Sequence, residues 1–210
     1  MSKKILFQGD SITDCNRGNG LGTGYANLVA ATLGFQNPQK YEFINRGISG
    51  NDIVNVYARI KSDFINLNPD YASIFIGIND VAHEICNNNG VATEKFEKIY
   101  DMMICEILEA CPQIKIIIIP PVVLEGVSTC NTDALPNRFS QFEEDTAKKA
   151  EVCRKIAFKY GFPFIELQSA FNEMCQKADS SYWSIDGIHP TTFGHEMIKK
   201  KWLEAFELIK

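Results

Sequence analysis

The sequence predicts a single α/β domain in which a doubly wound parallel sheet carries helices on both faces. Five short segments with strand character alternate with segments of helical periodicity along the 210 residues. Four of the strand segments are almost continuous apolar runs, as is typical of strands covered on both faces. The rule that crossover connections are right-handed then favours a five-stranded sheet in the order 2-1-3-4-5.

Each element follows from a local pattern. The first strand contains Ile5, Leu6 and Phe7 and leads into a glycine-containing turn, while the fourth contains four consecutive isoleucines and stops at Pro120. A helix whose first turn holds Asn79 and Asp80 is expected after the third strand. The predicted strands are residues 3–8, 41–45, 72–76, 114–119 and 163–167, and the other predicted helices are residues 25–33, 52–67, 93–110, 139–160 and 192–209.

The composition fits one globular domain, residues 1–210, that does not bind nucleic acid. The chain is 45% hydrophobic and 22% charged, and it contains no internal repeat or low-complexity linker. Its net charge of -5, its pI near 5.3 and the lack of a run of five basic residues argue against a polyanionic partner. Whether the chain forms a homo-oligomer stays open.

The sequence also predicts a cytoplasmic protein that does not enter a membrane. The apolar run after Lys4 is much shorter than the roughly 7–15 residues of a signal peptide, and the longest apolar run, IKIIIIPPVVL, is broken by two prolines. The seven cysteines include no CxxC pair, which argues against a disulfide framework and a zinc site. Cys15 lies four residues from Ser11, where its oxidation could modulate a site.

Ser11 raises the first functional question, because it sits where the first strand ends in the stretch ILFQGDSITD. A serine between a strand and a helix is a common N-cap, since its hydroxyl accepts from an unpaired backbone N–H. A nucleophile would occupy the same place. The stretch alone leaves both interpretations open.

The predicted sheet brings further polar groups to the same edge. The stretch NRGISGND follows the second strand, GIND follows the third, and DGIHP precedes the last helix. Ligands of such sheets bind outside the carboxyl ends of the strands. We therefore expect all four stretches to converge there.

Acyl transfer needs a nucleophile, a base, a group that orients the base, and donors for an oxyanion. His189 could take the proton of Ser11, and Asp186, three residues earlier, could hold the other ring nitrogen. The N–H groups of Ser11 and Gly50 and the side-chain amide of Asn79 could bind the oxyanion. Taken singly, each residue also has a structural interpretation as a turn or capping residue.

The blocks GDSIT, RGISGND, GIND and DGIHP resemble those of the SGNH hydrolases, the GDSL esterase and lipase superfamily, in the expected order. The resemblance spans nearly the whole chain and implies an SGNH, flavodoxin-like fold. It implies Ser11 as nucleophile, His189 as base and Asp186 as its partner, with Ser11, Gly50 and Asn79 as the oxyanion hole, and no metal or other cofactor.

Further stretches, among them DSITDCNRG, LGTGY, AFNEM and HPTTFGHEMI, resemble the small serine acetylxylan esterases. The resemblance implies removal of acetyl groups from small carbohydrates such as xylo-oligosaccharides. One position departs from it: those esterases carry tryptophan just before the triad acid, whereas this chain has Ile185, with Trp183 two residues earlier.

Other serine, aspartate and histidine residues have patterns that favour structural roles over catalysis. Ser49 lacks the G-x-S-x-G spacing, Asp80 and His83 form a second Asp-x-x-His pair in a helical first turn, and His195 falls inside the last helix as an exposed or core-edge residue. The run GNGLGTG lacks both the G-x-G-x-x-G pattern and a Walker lysine. Nucleotide binding is therefore not expected.

The function predicted is a serine esterase acting on a small acyl ester, most simply an acetylated sugar. A broader GDSL acyl esterase or lysophospholipase-like hydrolase of longer-chain esters is the alternative within the same superfamily. Two other classes remain: a metal-dependent phosphoesterase using Asp10, Asn79, Asp80 and His83, and a glycan-binding module on an inactive scaffold. The irregular stretch at residues 125–137 is long enough to be functional or mobile.

Overall fold

Four parallel strands form the central sheet in the order β2-β1-β3-β4 in a computed structural model, which describes residues 2–18 and 20–210. Gly9 at the end of β1 pairs with Gly47 on one side and Phe75 on the other, so the carboxyl ends of three strands are level. The predicted fold class and the order of the first four strands are confirmed. The strands are β1 (Lys3–Gly9), β2 (Tyr41–Gly47), β3 (Tyr71–Phe75) and β4 (Lys115–Ile119).

The prediction of a fifth strand at residues 163–167 is wrong, because only one residue of this segment pairs with the sheet. Only Phe164 pairs with β4, as an isolated parallel bridge to Ile118. Pro163 has no N–H to donate, and the chain turns at once, because Leu167 N–H donates to the carbonyl of Ile165 at 2.8 Å. The bridge occupies the place beside β4 where the fifth strand was expected.

The helices surround the sheet on both faces. Within the described ranges, no helix is both long enough and apolar enough to span a membrane. Residues 120–137 form neither helix nor strand. In chain order the helices are α1 (Ser11–Asp14), α2 (Tyr25–Gln36), α3 (Ile53–Ala58), α4 (Ile60–Asp63), α5 (Ile78–Asn87), α6 (Thr93–Ala110), α7 (Arg138–Tyr160), α8 (Leu167–Cys175), α9 (Ser180–Trp183) and α10 (Thr192–Glu207).

The helix predicted at residues 52–67 is divided into α3, α4 and a short 3-10 turn, Ile65–Leu67. The first break falls at Arg59, whose backbone is not helical (φ -109°, ψ 10°). Its guanidinium donates to the carbonyl oxygens of Arg46 and Gly9 at 2.8 and 3.1 Å. These contacts tie the segment to the ends of β1 and β2.

Two apolar clusters fill the space between the sheet and the helices. Ile5 and Phe7 face the cluster that contains Trp202 and Phe206, whereas Leu6 faces the opposite cluster. This alternation is the two-residue period of a strand whose faces are both covered. The apolar runs in the sequence therefore mark strands buried on both sides.

Replacing Phe206 by alanine should lower the free energy of unfolding by about 3–5 kcal/mol, because its ring is fully buried against Trp202 and Tyr71. Phe35→Ala is the matched control, since that ring is 89% exposed, and it should change stability by less than about 0.5 kcal/mol. Urea unfolding measures both values. Equal losses for the two variants would contradict the assigned core.

Candidate active site

The site is built around the end of β1, where the chain passes close to its neighbours. The carbonyl oxygen of Gly9 accepts the N–H of Ile48 at 3.1 Å and the guanidinium of Arg59 at 3.1 Å. A Cβ at Gly9 would lie only 2.4 Å from the carbonyl oxygen of Phe75, so a larger residue does not fit. The hydrogen bond from Ile48 to Gly9 brings the loop after β2 beside α1.

The N-cap of α1 is Asp10, not Ser11. The Asp10 Oδ1 atom accepts the N–H of Ile12 at 3.0 Å, and Ser11 is the first residue of the helix. The capping interpretation of Ser11 is therefore wrong. Its hydroxyl instead lies 2.9 Å from Nε2 of His189.

The three residues predicted to form a triad are joined by hydrogen bonds. Nδ1 of His189 lies 2.9 Å from Oδ2 of Asp186, while Oδ1 accepts the backbone N–H groups of Ile188 and His189 at 2.9 and 2.8 Å. A carboxylate at Oδ2 favours the tautomer with the proton on Nδ1, which leaves Nε2 to accept the hydroxyl of Ser11. The order of the contacts is that of a nucleophile, a base and an orienting acid.

The electrostatics of Asp186 favour its charged form. Partial burial acts to raise the pKa of this carboxyl, but the hydrogen bonds from the backbone and ring of His189 and from Ile188 outweigh it and hold the pKa below its usual value. Sequence analysis missed one further donor, the hydroxyl of Ser128, which lies 3.1 Å from Oδ2. Only the length of its loop signalled a functional segment.

The turn that carries Asp186 and His189 is closed at its base. Ser184 and Pro190 form an antiparallel bridge, and the Ser184 hydroxyl accepts Gly187 N–H at 2.9 Å and donates to the carbonyl of His189 at 3.0 Å. Gly187 has φ +98°, a conformation that side chains other than glycine rarely adopt. The acid and the base are thus held on one rigid turn.

The predicted oxyanion donors lie on two adjoining segments. The amide of Asn79 in α5 donates one hydrogen bond to the carbonyl of Asn51 at 2.9 Å, which leaves its second N–H free to donate. Gly50, with φ +81°, precedes Asn51 on the loop after β2. Within residues 2–18 and 20–210, the backbone N–H groups of Ser11 and Gly50 have no acceptor.

The rival residues make other contacts. The Ser49 hydroxyl donates to the carboxylate of Asp14 at 3.1 Å rather than to a histidine. Asp80 is buried and accepts Ile53 N–H at 3.3 Å, which fixes the start of α3, and it makes no hydrogen bond with His83 in the described part of the chain. Burial raises the pKa of Asp80 well above its usual value.

The alternative metal site gains no support from the side-chain arrangement. Among the residues that the structure describes, no three His, Cys, Asp or Glu side chains are grouped as metal ligands. The carboxylates of Asp10 and Asp80 accept backbone N–H groups at helix starts. Asp10 is the N-cap of α1, and Asp80 holds the first N–H group of α3, whose N-cap is Asp52, so both carboxylates already have structural roles.

His195 is a buried residue of α10, contrary to the expectation of an exposed or core-edge side chain. Its Nδ1 accepts the N–H of Tyr25 at 3.1 Å, so Nε2 carries the proton and faces the Cys15 sulfur at 3.5 Å. Burial, together with the charge of nearby His189, lowers the pKa of His195 to about 4. All seven cysteines are free thiols, and modulation through Cys15 stays a prediction.

Comparison with known proteins gives a consistent set of relatives. A family model, the GDSL-like lipase/acylhydrolase family, matches residues 7–197. The acetylxylan esterase of Geobacillus stearothermophilus is 32% identical over an alignment of 224 positions, which spans 99% of this chain and 96% of the esterase. A crystal structure of that esterase superposes with a TM-score of 0.82 at 30% identity, covering 97% of this chain and 93% of the esterase chain. A crystal structure of a protein from Parabacteroides merdae, described as a putative GDSL-like lipase, superposes with a TM-score of 0.89 at 30% identity. The match covers 99% of this chain and 98% of that protein.

The burial of Asp10 has a measurable consequence for stability. Burial raises the pKa of this carboxyl from 3.8 to about 7, outweighing the hydrogen bond from Ile12 and the charge of His189. Between these two pH values the folded protein binds a proton that the unfolded chain releases. The contribution of Asp10 to the free energy of unfolding is therefore fully present below pH 3.8 and is lost as the pH rises through about 7.

We expect the free energy of unfolding of the wild type to fall relative to that of Asp10→Asn over this range, by roughly 1.4 kcal/mol for each unit of pKa shift. Denaturant unfolding of both proteins at a series of pH values measures the difference. Parallel curves between pH 4 and 7 would contradict the assignment.

Proposed function

Since the chain belongs to the GDSL-like lipase/acylhydrolase family and is a carboxylic ester hydrolase, we propose that it removes acetyl groups from small carbohydrates such as xylo-oligosaccharides, with Ser11 as the nucleophile. The observation that carries the proposal is the chain of hydrogen bonds from Ser11 through His189 to Asp186, each 2.9 Å long. Such a chain supplies the nucleophile, the base and the orienting acid that acyl transfer through an acyl-enzyme requires.

In the first half of the reaction, Ser11 Oγ attacks the carbonyl carbon of the acetyl group while Nε2 of His189 takes the hydroxyl proton. The tetrahedral intermediate then expels the sugar oxygen, which receives that proton from Nε2. In the second half, a water molecule gives its proton to Nε2 and attacks the acetyl-Ser11 ester, and the proton returns to Ser11 as acetate leaves. Asp186 stays charged and stabilises the imidazolium in both halves.

The developing oxyanion is bound by the N–H groups of Ser11 and Gly50 and by the second amide N–H of Asn79. The hydrogen bond from Asn79 to the Asn51 carbonyl fixes the amide plane before substrate arrives. Donors held in place in this way stabilise the transition state without reorganisation, and this is their main advantage over water.

Two observations support a short acyl group on a soluble sugar. The His189 side chain is 44% exposed, so the edge that would react is open to a water-soluble substrate. The curated relative, 32% identical over nearly the whole chain, is an acetylxylan esterase. Ile185, next to Asp186, is 70% exposed and offers an aliphatic surface where the acetylxylan esterases that the sequence resembles carry tryptophan.

Ser11→Ala and His189→Ala should each lower kcat on p-nitrophenyl acetate by about a millionfold, because the two residues act as a unit. Asp186→Asn should lower kcat by about ten-thousandfold, since the asparagine amide favours the wrong tautomer of His189. Ser49→Ala is the control and should keep most of the activity. If Ser11→Ala kept more than a few per cent of activity and Ser49→Ala were inactive, the nucleophile would be misassigned.

Acyl-chain preference should peak at acetyl. A pocket for longer chains would contribute up to ~0.8 kcal/mol per methylene, so kcat/KM would rise with chain length if one existed. We expect p-nitrophenyl acetate to be cleaved faster than the butyrate, the octanoate to be cleaved near background, and acetate to be released from acetylated xylobiose. Peak activity on octanoyl or longer esters, with no acetate released from sugars, would instead favour the lysophospholipase-like alternative.

A further inference from the structure

Asp186 uses both of its carboxylate oxygens as double acceptors. Oδ1 accepts the N–H groups of Ile188 and His189, and Oδ2 accepts Nδ1–H of His189 and the hydroxyl of Ser128. An ionised carboxylate has about four acceptor positions, so this arrangement fills all of them. Three of the donors come from the same turn as Asp186, whereas Ser128 lies 58 residues earlier in the chain.

Ser128 is held where it can donate to this oxygen. Its backbone N–H donates to the carbonyl of Asp186 at 2.9 Å, and the Leu124 N–H donates to the carbonyl of Gly187 at 2.8 Å. The stretch from residue 124 to residue 128 therefore runs along the turn that carries the acid and the base. A Cβ on Gly126 would lie 2.3 Å from the carbonyl carbon of Asp186, so the two segments touch through their backbones.

The loop is also fixed from within. The fully buried Thr129 hydroxyl donates to the carbonyl of Leu124 at 2.7 Å and accepts the N–H of Gly126 at 3.0 Å. On the outer side, the Ser180 hydroxyl donates to the carbonyl of Glu125 at 2.7 Å. The contacts of Thr129 and the backbone hydrogen bonds from Leu124 and Ser128 to the turn remain without Ser180, so they set the position of the Ser128 hydroxyl independently of that outer contact.

We propose that Ser128 is a positioning residue that sets the orientation of the Asp186 carboxylate toward His189, an inference that rests on the proposed function. The terminal torsion of an aspartate is broad, so its carboxylate plane is defined mainly by the donors around it. Without Ser128, the only donor left at Oδ2 is Nδ1–H of His189. The plane of the carboxylate can then rotate about the two backbone hydrogen bonds at Oδ1. The Nδ1–Oδ2 hydrogen bond, which holds the base in the correct tautomer, then loses its alignment.

Four variants test this role by steady-state kinetics on p-nitrophenyl acetate. Ser128→Ala and Ser128→Val remove the hydroxyl, Ser128→Thr keeps it in nearly the shape of valine, and Ser180→Ala removes a hydroxyl that holds the same loop without touching Asp186. A lost hydrogen bond of ordinary strength corresponds to about a tenfold change. We expect Ser128→Ala and Ser128→Val to lower kcat by about tenfold with KM nearly unchanged. The kcat of Ser128→Thr and of Ser180→Ala should stay near the wild-type value.

The proton NMR resonance of the His189 Nδ1–H group bonded to Asp186 gives a readout that does not require turnover. It should shift in Ser128→Ala, return to the wild-type position in Ser128→Thr and be unchanged in Ser180→Ala. Wild-type kcat and an unmoved resonance in Ser128→Ala would overturn the proposal, and so would equal losses in Ser128→Thr and Ser128→Val. Failure of the proposed function appears separately, as a wild-type protein that releases no acetate or a Ser11→Ala variant that stays active.

Discussion

The arrangement of the site depends on the close approach of three strands at Gly9. Because this residue has no side chain, its carbonyl can accept Ile48 N–H and the Arg59 guanidinium while its Cα lies against β3. The start of α1, the loop after β2 and the segment that follows Asp52 are all fixed relative to this point. The proposed nucleophile, Ser11, follows β1, and the proposed oxyanion donors, Gly50 and Asn79, follow β2 and β3. The three groups can therefore meet one substrate because β1 lies between the other two strands.

Three aspartates at this edge show how the number of hydrogen-bond donors decides between charge and neutrality. Asp186 accepts four donors and keeps a pKa below its usual value despite partial burial. Asp10 is fully buried, has a single N–H donor at Oδ1, and leaves Oδ2 without a partner among the described residues, so burial dominates and its pKa rises to about 7. Asp80 shares one donor between two oxygens and is raised as well. The same residue type thus supplies the proposed anionic partner of His189, the N-cap of α1 and the acceptor for the first N–H group of α3, and burial raises the pKa of the last two carboxyls.

Patterns local in the sequence predicted the parts of the molecule that depend on local physics. Apolar runs and their alternation with helical segments predicted the four strands, and the Asp-x-x-His spacing predicted that Asp186 and His189 meet on one turn. The prediction of a fifth strand is wrong because Pro163 has no N–H group to donate to a neighbouring strand. The prediction of one long helix is wrong because it breaks at Arg59, whose side chain donates to a carbonyl distant in the sequence. Ser128 could not be found, because a hydroxyl that meets a carboxylate 58 residues away leaves no periodic signal. Ser11 was ambiguous until the neighbouring Asp10 proved to be the cap.

The hydrogen bond between Ser11 and His189 joins residues 178 positions apart, near opposite ends of the printed sequence. All four strands of the sheet lie between these two residues or directly before Ser11 in the chain, whereas His189 follows the last of them by 70 residues. Contacts of such long sequence separation form late, since the intervening chain must first be ordered. A partly folded chain that has ordered β1 but not the turn at residues 184–190 therefore lacks the Ser11–His189 pair on which the proposed reaction depends.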